Sequence, residues 1–284
     1  MEFSEGKIVK RAIIVPNYLK AESVSFCNVA RGMLEELSYT VEVLAEDEMP
    51  SGVADFALVL GGDGTILRAC KKLYTLNIPV FGINFGNVGY LAGCNPDTAV
   101  DCIERVVSGN YNVENRLMLQ GEVVRNGVTA YSFVALNEAT LFRSTLKKAF
   151  KTEIYINGMS TETVLGDGVV IATPTGSTSY NLSAGGPVLT PESDNIVITP
   201  LSPMQLVCSS IVAGGNDTVD VRVAINSLVK DACVSLEIDG DCSFDIYDGD
   251  IIKIKKAENT AKTIKVDNVS FYQILRKKLS KVNE

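Results

Sequence analysis

Histidine and tryptophan are both absent from the 284 residues. Without histidine a Ser-His-Asp or Cys-His relay is excluded, and so is any zinc site built on imidazole. Proton transfer near neutral pH falls to a carboxylate, lysine, tyrosine, cysteine or the substrate. Long apolar runs are missing too. The best, residues 56–60, is strand-sized and far too short to cross a bilayer. No apolar core of a signal peptide stands near the start. The chain lacks a basic surplus, with 26 Lys and Arg against 34 Asp and Glu. A net charge of −8, negative in each half, argues against a dedicated nucleic-acid binder. The seven cysteines are odd in number and form no C-x-x-C pair, which predicts a reduced, cytoplasmic protein with buried thiols. No nucleic-acid or membrane partner is expected.

What is present is an ordinary folded composition, 46% hydrophobic and 21% charged, long enough for one large domain or two ordinary ones. The first part alternates two periods. Residues 7–15 hold a β-branched run with Ile8, Val9, Ile13, Ile14 and Val15, and residues 23–37 repeat apolar side chains at three- and four-residue steps. Residues 40–44, 56–60 and 79–84 read as strands, the second apolar throughout as befits burial on both faces. Residues 65–76 read as a helix. Asn95-Pro96 reads as an N-cap with proline at the first helical position, and Gly109 as the stop of the helix that follows. Such alternation predicts an α/β domain, a Rossmann-like parallel sheet covered by helices. Beyond about residue 111 short β-branched runs dominate: 195–199, 219–225, 233–238 and 250–255. Asn126-Gly127 and Asn157-Gly158 are hairpin turns by composition. Residues 271–282 return to helical spacing, with Lys277, Lys278 and Lys281 in the last turns. The expected organisation is an α/β domain over 1–115, a mostly β domain over 116–267, and a helix over 268–284 that packs back on the first domain.

Two glycine-rich turns carry the chemistry. Gly61-Gly62-Asp63-Gly64-Thr65 lies between a buried strand and a helix, where open α/β sheets bind ligands. Glycines let the backbone approach a phosphate, and helix-start amides attract anions. Thr65 can cap the helix or touch a phosphate, and Arg68, one turn on, can add charge. Asp63 is the odd member, because a carboxylate repels phosphates unless it holds a metal or takes a proton. The spacing is neither that of a P-loop nor of a dinucleotide fingerprint. The second stretch, residues 173–187, packs seven hydroxyl side chains and three glycines into fifteen residues, suited to a sugar, amide or phosphate. Glu138, Asp167 and Asp239 stand at other strand ends, and with Asp63 they form a set of four acids that can converge.

In combination these motifs resemble the NAD kinases. G-G-D-G-T at 61–65, N-E at 137–138, G-D-G at 166–168, T-P-T-G-S-T-S-Y-N-L-S-A-G-G-P at 173–187 and D-G at 239–240 match in order and spacing, as does G-I-N-F-G-N-V-G-Y-L at 82–91. The 173–187 motif is the specific one; G-G-D-G-T is shared with lipid kinases and, loosely, phosphofructokinases. The resemblance implies transfer of the ATP γ-phosphoryl group to the 2′-hydroxyl of the adenosine ribose of NAD, with Mg²⁺ or another divalent cation carried mainly by the ATP phosphates. It implies that Asp63 contacts that hydroxyl as base or orienter, and that Gly61, Gly62, Gly64 and Thr65, with Arg68, hold the donor phosphates. Asn137 and Glu138 would bind adenosine and a ribose diol, and Asp167 would sit near the nicotinamide end. Thr178, Ser179, Tyr180 and Ser183 would line the adenine and ribose pocket. Asp239-Gly240 receives no role of its own. A homo-oligomer, dimer or tetramer, with the nucleotide between domains and partly completed by a neighbouring subunit, is also implied. Two departures stand out: Phe85 where many bacterial members carry Arg, and Met204 near the place of a family His. A lipid kinase of the diacylglycerol-kinase type and a non-catalytic NAD(P)-binding sensor are the alternatives.

Overall fold

The structure is a computed structural model and describes residues 10–86, 89–143, 149–225, 234–266 and 270–280. Ile8, Val9, Asn87, Val88, Cys233, Lys281 and Val282, which entered the sequence reading, lie outside the described residues. The chain divides into two compact units, residues 1–115 with 261–284, and residues 116–260.

Elements of the opening segment are β1 (Arg11–Pro16), α1 (Ala21–Glu36), β2 (Thr40–Val43), β3 (Phe56–Gly61), α2 (Asp63–Leu73), β4 (Val80–Asn84), α3 (Ala99–Val107) and β5 (Asn112–Arg116). The second unit holds β6 (Leu119–Arg125), β7 (Val128–Ala135), β8 (Glu138–Arg143), β9 (Phe150–Ile156), β10 (Met159–Gly166) and β11 (Gly168–Ala172). There follow α4 (Tyr180–Ser183), β12 (Asn195–Leu201), β13 (Ile211–Gly214), β14 (Val219–Ala224), β15 (Val234–Ile238), β16 (Cys242–Ile246) and β17 (Ile251–Lys256). The chain then returns to the first unit with β18 (Ala261–Lys265) and α5 (Phe271–Ser280).

In the first unit the strand order is β2-β1-β3-β4-β18-β5. The pairs β1–β2, β1–β3, β3–β4 and β4–β18 are parallel. Every residue of β3 is buried, which is why the run shows no alternation. On one face Leu34 of α1 and Ile103 of α3 share a core with Leu58, Leu60 and Ile83. On the other, α2 packs on β3, β4 and β18, with Ile66 seated on Gly82, where a Cβ would come within 2.4 Å of its terminal carbon.

The second unit is two six-stranded sheets, β10-β9-β14-β17-β6-β7 and β13-β12-β11-β8-β15-β16. The pairings recorded within both are antiparallel. One core joins their facing sides, with Val123, Ile154, Val221 and Ile252 from the first against Leu141, Ile171, Ile198 and Leu236 from the second. Both Asn-Gly pairs adopt positive φ at both positions, 53° and 80° at 126–127 and 52° and 75° at 157–158, the requirement of a type I′ hairpin.

Three local expectations are corrected. The helix after the first glycine turn starts at Asp63, not Thr65, because Gly62 takes the capping position with no side-chain cap. Asn95 makes no side-chain cap, and Pro96–Thr98 form a 3₁₀ turn before α3. Residues 261–265, assigned by pattern to the β-rich half, form β18 of the first sheet. A five-residue β-branched run looks alike in either setting, and only its partner strand decides.

Leu58→Ala removes a fully buried side chain from the centre of the first sheet. It should lower stability by about 2–5 kcal/mol, read by urea unfolding.

Candidate active site

The first turn follows directly from its strand. Gly61 has no room for a Cβ, which would lie 2.6 Å from the Thr65 side chain. Thr65 is buried beneath the turn, where its hydroxyl accepts a hydrogen bond from the Asn17 side-chain amide at 3.1 Å. It therefore supports the turn from below and caps nothing. Arg68 is ion-paired with Glu46, so part of its charge is already engaged. A cation that the sequence reading missed stands close by: the Lys20 ammonium donates to the Phe85 carbonyl at 2.7 Å, while the Phe85 ring packs 5.7 Å from that of Phe26.

Asp63 opens α2 with its side chain turned to the segment after β4. Its Oδ2 accepts the Tyr90 backbone amide at 2.8 Å, and its Oδ1 the Leu91 amide at 3.2 Å. A Cβ on Gly89 would lie 1.8 Å from Oδ1, so glycine is required there for contact rather than conformation. The Lys278 ammonium of α5 stands 3.6 Å from Oδ2 and 4.1 Å from the centre of the Tyr90 ring. Lys265 of β18 donates to the carbonyls of Leu91 and Ala92 at 3.2 and 2.8 Å. Partial burial and the Asp63 charge raise the Tyr90 phenol above its usual pKa.

In the second unit Asp239 does framework work. At the end of β15, with φ of 54°, it accepts three backbone amides: Leu136 and Glu138 at 3.1 and 3.0 Å and Asn137 at 2.8 Å. These bonds fix the Asn137-Glu138 corner. The 173–187 segment fastens to the same corner, since Thr173 donates its hydroxyl to the Leu136 carbonyl at 2.5 Å and its amide to the Asn137 carbonyl at 2.8 Å. Gly176 lies so close that a Cβ would be 2.0 Å from that Asn137 oxygen. Several hydroxyls expected to face a ligand are spent internally: Ser177 donates to Pro174 O, and Thr178 to Thr175 O at 3.2 Å. Asn181, fully buried, ties the segment together through the carbonyls of Ser177 and Pro187.

Ser179, Tyr180 and Ser183 remain turned outward to differing degrees, with Tyr180 45% exposed. Ser179 and Tyr180 join Glu138, Glu237 and Asp239 around a cavity of about 440 Å³. Glu138 is its centre. The Ser179 hydroxyl donates to Oε1 at 3.0 Å, while Oε2 is buried with no hydrogen-bond partner. Burial pushes this carboxyl up to about 7; the Ser179 bond opposes the rise and the Asp239 charge adds to it. An orphaned acceptor this deeply placed is costly unless a ligand supplies the donor.

The four acids do not all converge. Glu138 and Asp239 meet, but Asp167 does not join them. In the β8–β11 pair Glu138 stands opposite Ala172 and Phe142 opposite Gly168, so Asp167 lies at the far end, about 15 Å along the strands. There it pairs with Arg143 at 2.8 Å. Asp63 belongs to the other unit. Among the described residues no cluster of three acidic or cysteine side chains suits a metal ion.

Comparison with known proteins agrees with these motifs. Residues 5–111 match the family of the ATP-NAD kinase N-terminal domain, and residues 136–266 that of the ATP-NAD kinase C-terminal domain. An NAD kinase of Lachnoclostridium phytofermentans is 34% identical over 281 residues, spanning 95% of this chain and 99% of that one. The chain belongs to the NAD kinase family. As a member it is an ATP-dependent kinase, and the diacylglycerol-kinase and sensor alternatives fall. An NAD kinase of Symbiobacterium thermophilum is 37% identical, covering 84% of this chain and 83% of its own. Among solved structures, an Archaeoglobus fulgidus NAD kinase in complex with ATP superposes with a TM-score of 0.72 at 27% identity, covering 95% of this chain and 98% of that one. The yeast NADH kinase complexed with NADH shares the fold, with a TM-score of 0.83 at 20% identity over 96% and 88% of the two chains.

Sequence reasoning passed over Asn17, Lys20 and Lys265, and it named Lys278 and Asp239 without the partners they hold. Gly89 and Tyr90 carried a signal as members of the 82–91 motif.

Glu138 has a measurable signature. Its folded carboxyl holds a proton up to about pH 7, whereas an ordinary one releases it near 4.5. The native state therefore binds more protons across that window, and stability falls as pH rises through it, by roughly 3 kcal/mol. Glu138→Gln should flatten this part of the profile, measured by urea unfolding at pH 5, 6, 7 and 8 without nucleotide.

Proposed function

We propose that this NAD kinase phosphorylates the 2′-hydroxyl of the adenosine ribose of NAD, with Asp63 as the group that receives and orients that hydroxyl. The observation that carries the reading is the position of Asp63 directly behind Gly61-Gly62 at the start of α2, where helix amides favour phosphate oxygens. A carboxylate already accepting two amides and standing near an ammonium is a well-aimed acceptor. Phosphoryl transfer has a loose transition state and asks chiefly for positioning and charge neutralisation. Orientation therefore suits Asp63 better than full proton abstraction in the ground state. Mg²⁺ arrives as part of the MgATP substrate and neutralises its phosphates. Gly61, Gly62 and Gly64 serve as the backbone cradle, Thr65 as its support, and Arg68 and Lys20 as nearby positive charge.

The second unit supplies the nucleoside pocket in this proposal. Glu138 accepts from ribose hydroxyls, its unpartnered Oε2 awaiting a donor. Asn137, Thr178, Ser179, Tyr180 and Ser183 line the adenine and ribose side. Asp167, remote from Glu138 within one copy, acts at the nicotinamide end of a neighbour's site, which makes the working form a homo-oligomer, dimer or tetramer. The setting is cytoplasmic.

Purified protein given ATP, Mg²⁺ and NAD should form NADP; absence of product would overturn the reading. Asp63→Asn should lower kcat at least about a hundredfold while calorimetry still detects NAD binding. Near-normal turnover would remove Asp63 from its role. Tyr180→Ala should raise the Kd for NAD more than that for ATP in parallel titrations.

A further inference from the structure

We infer that Lys278, on the closing helix, is a positioning residue for Asp63: its ammonium holds one carboxylate oxygen so that the remaining acceptor site is presented to the ribose hydroxyl. The inference rests on the reading of Asp63 given above. An ionised carboxylate offers about four acceptor sites. The Tyr90 and Leu91 amides take one on each oxygen, and the Lys278 ammonium stands 3.6 Å from Oδ2. That separation is an ion pair longer than a hydrogen bond, which biases Oδ2 by charge and leaves the second site of Oδ1 the less encumbered.

An exposed lysine near an acid is commonly a solvent-screened pair worth little. Three observations separate Lys278 from that case. Its side chain is only 32% exposed, while neighbouring Lys277 on the same helix is exposed. Its ammonium also lies 4.1 Å from the Tyr90 ring centre, so ring and carboxylate fix it from two directions. The ring is anchored, with Phe271 of α5 packed against it at 6.1 Å and the Tyr90 backbone amide bonded to Asp63. Lysine, ring and carboxylate thus form a closed triangle, in which each member restrains the other two. Lys265 reinforces it by holding the carbonyls of Leu91 and Ala92. Both lysines come from the segment after the second unit, so the C-terminal return is part of the reacting group's support.

The test uses the full chain. Lys278→Met, which keeps the stem over the ring and removes the charge, and Lys278→Gln are compared with Lys278→Arg, Lys277→Gln, Asp63→Asn and the Asp63→Asn/Lys278→Met double variant, with melting curves for each. We expect kcat to fall about tenfold or more in the Met and Gln variants, with KM for NAD and ATP within about twofold of the parent. Lys278→Arg should recover most of the loss, and Lys277→Gln should lose nothing. Lys278→Met should add nothing to Asp63→Asn, since a residue acting through another has no effect once that one is gone. Unchanged kcat in Lys278→Met or Lys278→Gln overturns the inference. So does a rise confined to the ATP KM, which would mean direct phosphate contact, and so does an additive double variant. Should Asp63→Asn itself turn over normally, the reading of Asp63 fails first and the role of Lys278 with it.

Discussion

The carboxylate of Asp63 bonded to the amides of Tyr90 and Leu91 is the constraint around which the first unit is arranged. It explains how an acid is accommodated in the glycine turn between β3 and α2. The charge is compensated by backbone donors and a lysine belonging to the protein. The same bonds explain glycine at 89, the closeness of Tyr90 to α5, and the need for a helix that begins at residue 63 and not two residues later. Each of these follows from placing one carboxylate within hydrogen-bond reach of a segment that comes after the next strand.

Asp239 repeats the arrangement in the second unit. There too an aspartate accepts successive backbone amides, those of Leu136, Asn137 and Glu138, and so holds an adjacent acid in place. Glu138 can keep one oxygen without a partner because its backbone cannot yield. The cost of that orphaned oxygen is borne by the fold. Burial explains the raised carboxyl of Glu138 in the same terms, since the desolvation that pushes it up to about 7 is what makes an incoming donor favourable.

Much of this was legible in the residues. The apolar β3, the Asn-Gly hairpins and the change from alternating to all-strand pattern are local signals, and local physics sets them. The positions of Asp63 and Glu138 at strand ends were legible for the same reason. What stayed hidden was pairing across the chain. Nothing near residue 68 announces Glu46 as its partner, and nothing near 278 announces Asp63. The inward turn of Thr65 depends on Asn17 at the end of another strand. Asp167 and Glu138 each end an apolar run, and only the antiparallel register of β8 and β11 sends them to opposite ends. The hydroxyl-rich segment divides in a way its composition does not announce. Its side chains all read alike as ligand donors, yet the turn engages Ser177 and Thr178 on its own carbonyls while Ser179, Tyr180 and Ser183 stay turned outward.

The return of β18 to the first sheet has a consequence for how the chain is made. On a ribosome, β1 to β4 emerge early, but the strand that sits between β4 and β5 belongs to residues 261–265. The whole of residues 116–260 must be synthesised first, which takes roughly seven to thirty seconds at about 5–20 residues per second. Through that interval β4 presents an unpaired, apolar edge, the kind of template on which nascent chains aggregate. The middle unit, whose segments are contiguous, has every opportunity to fold first, leaving the earlier-born sheet to be completed last.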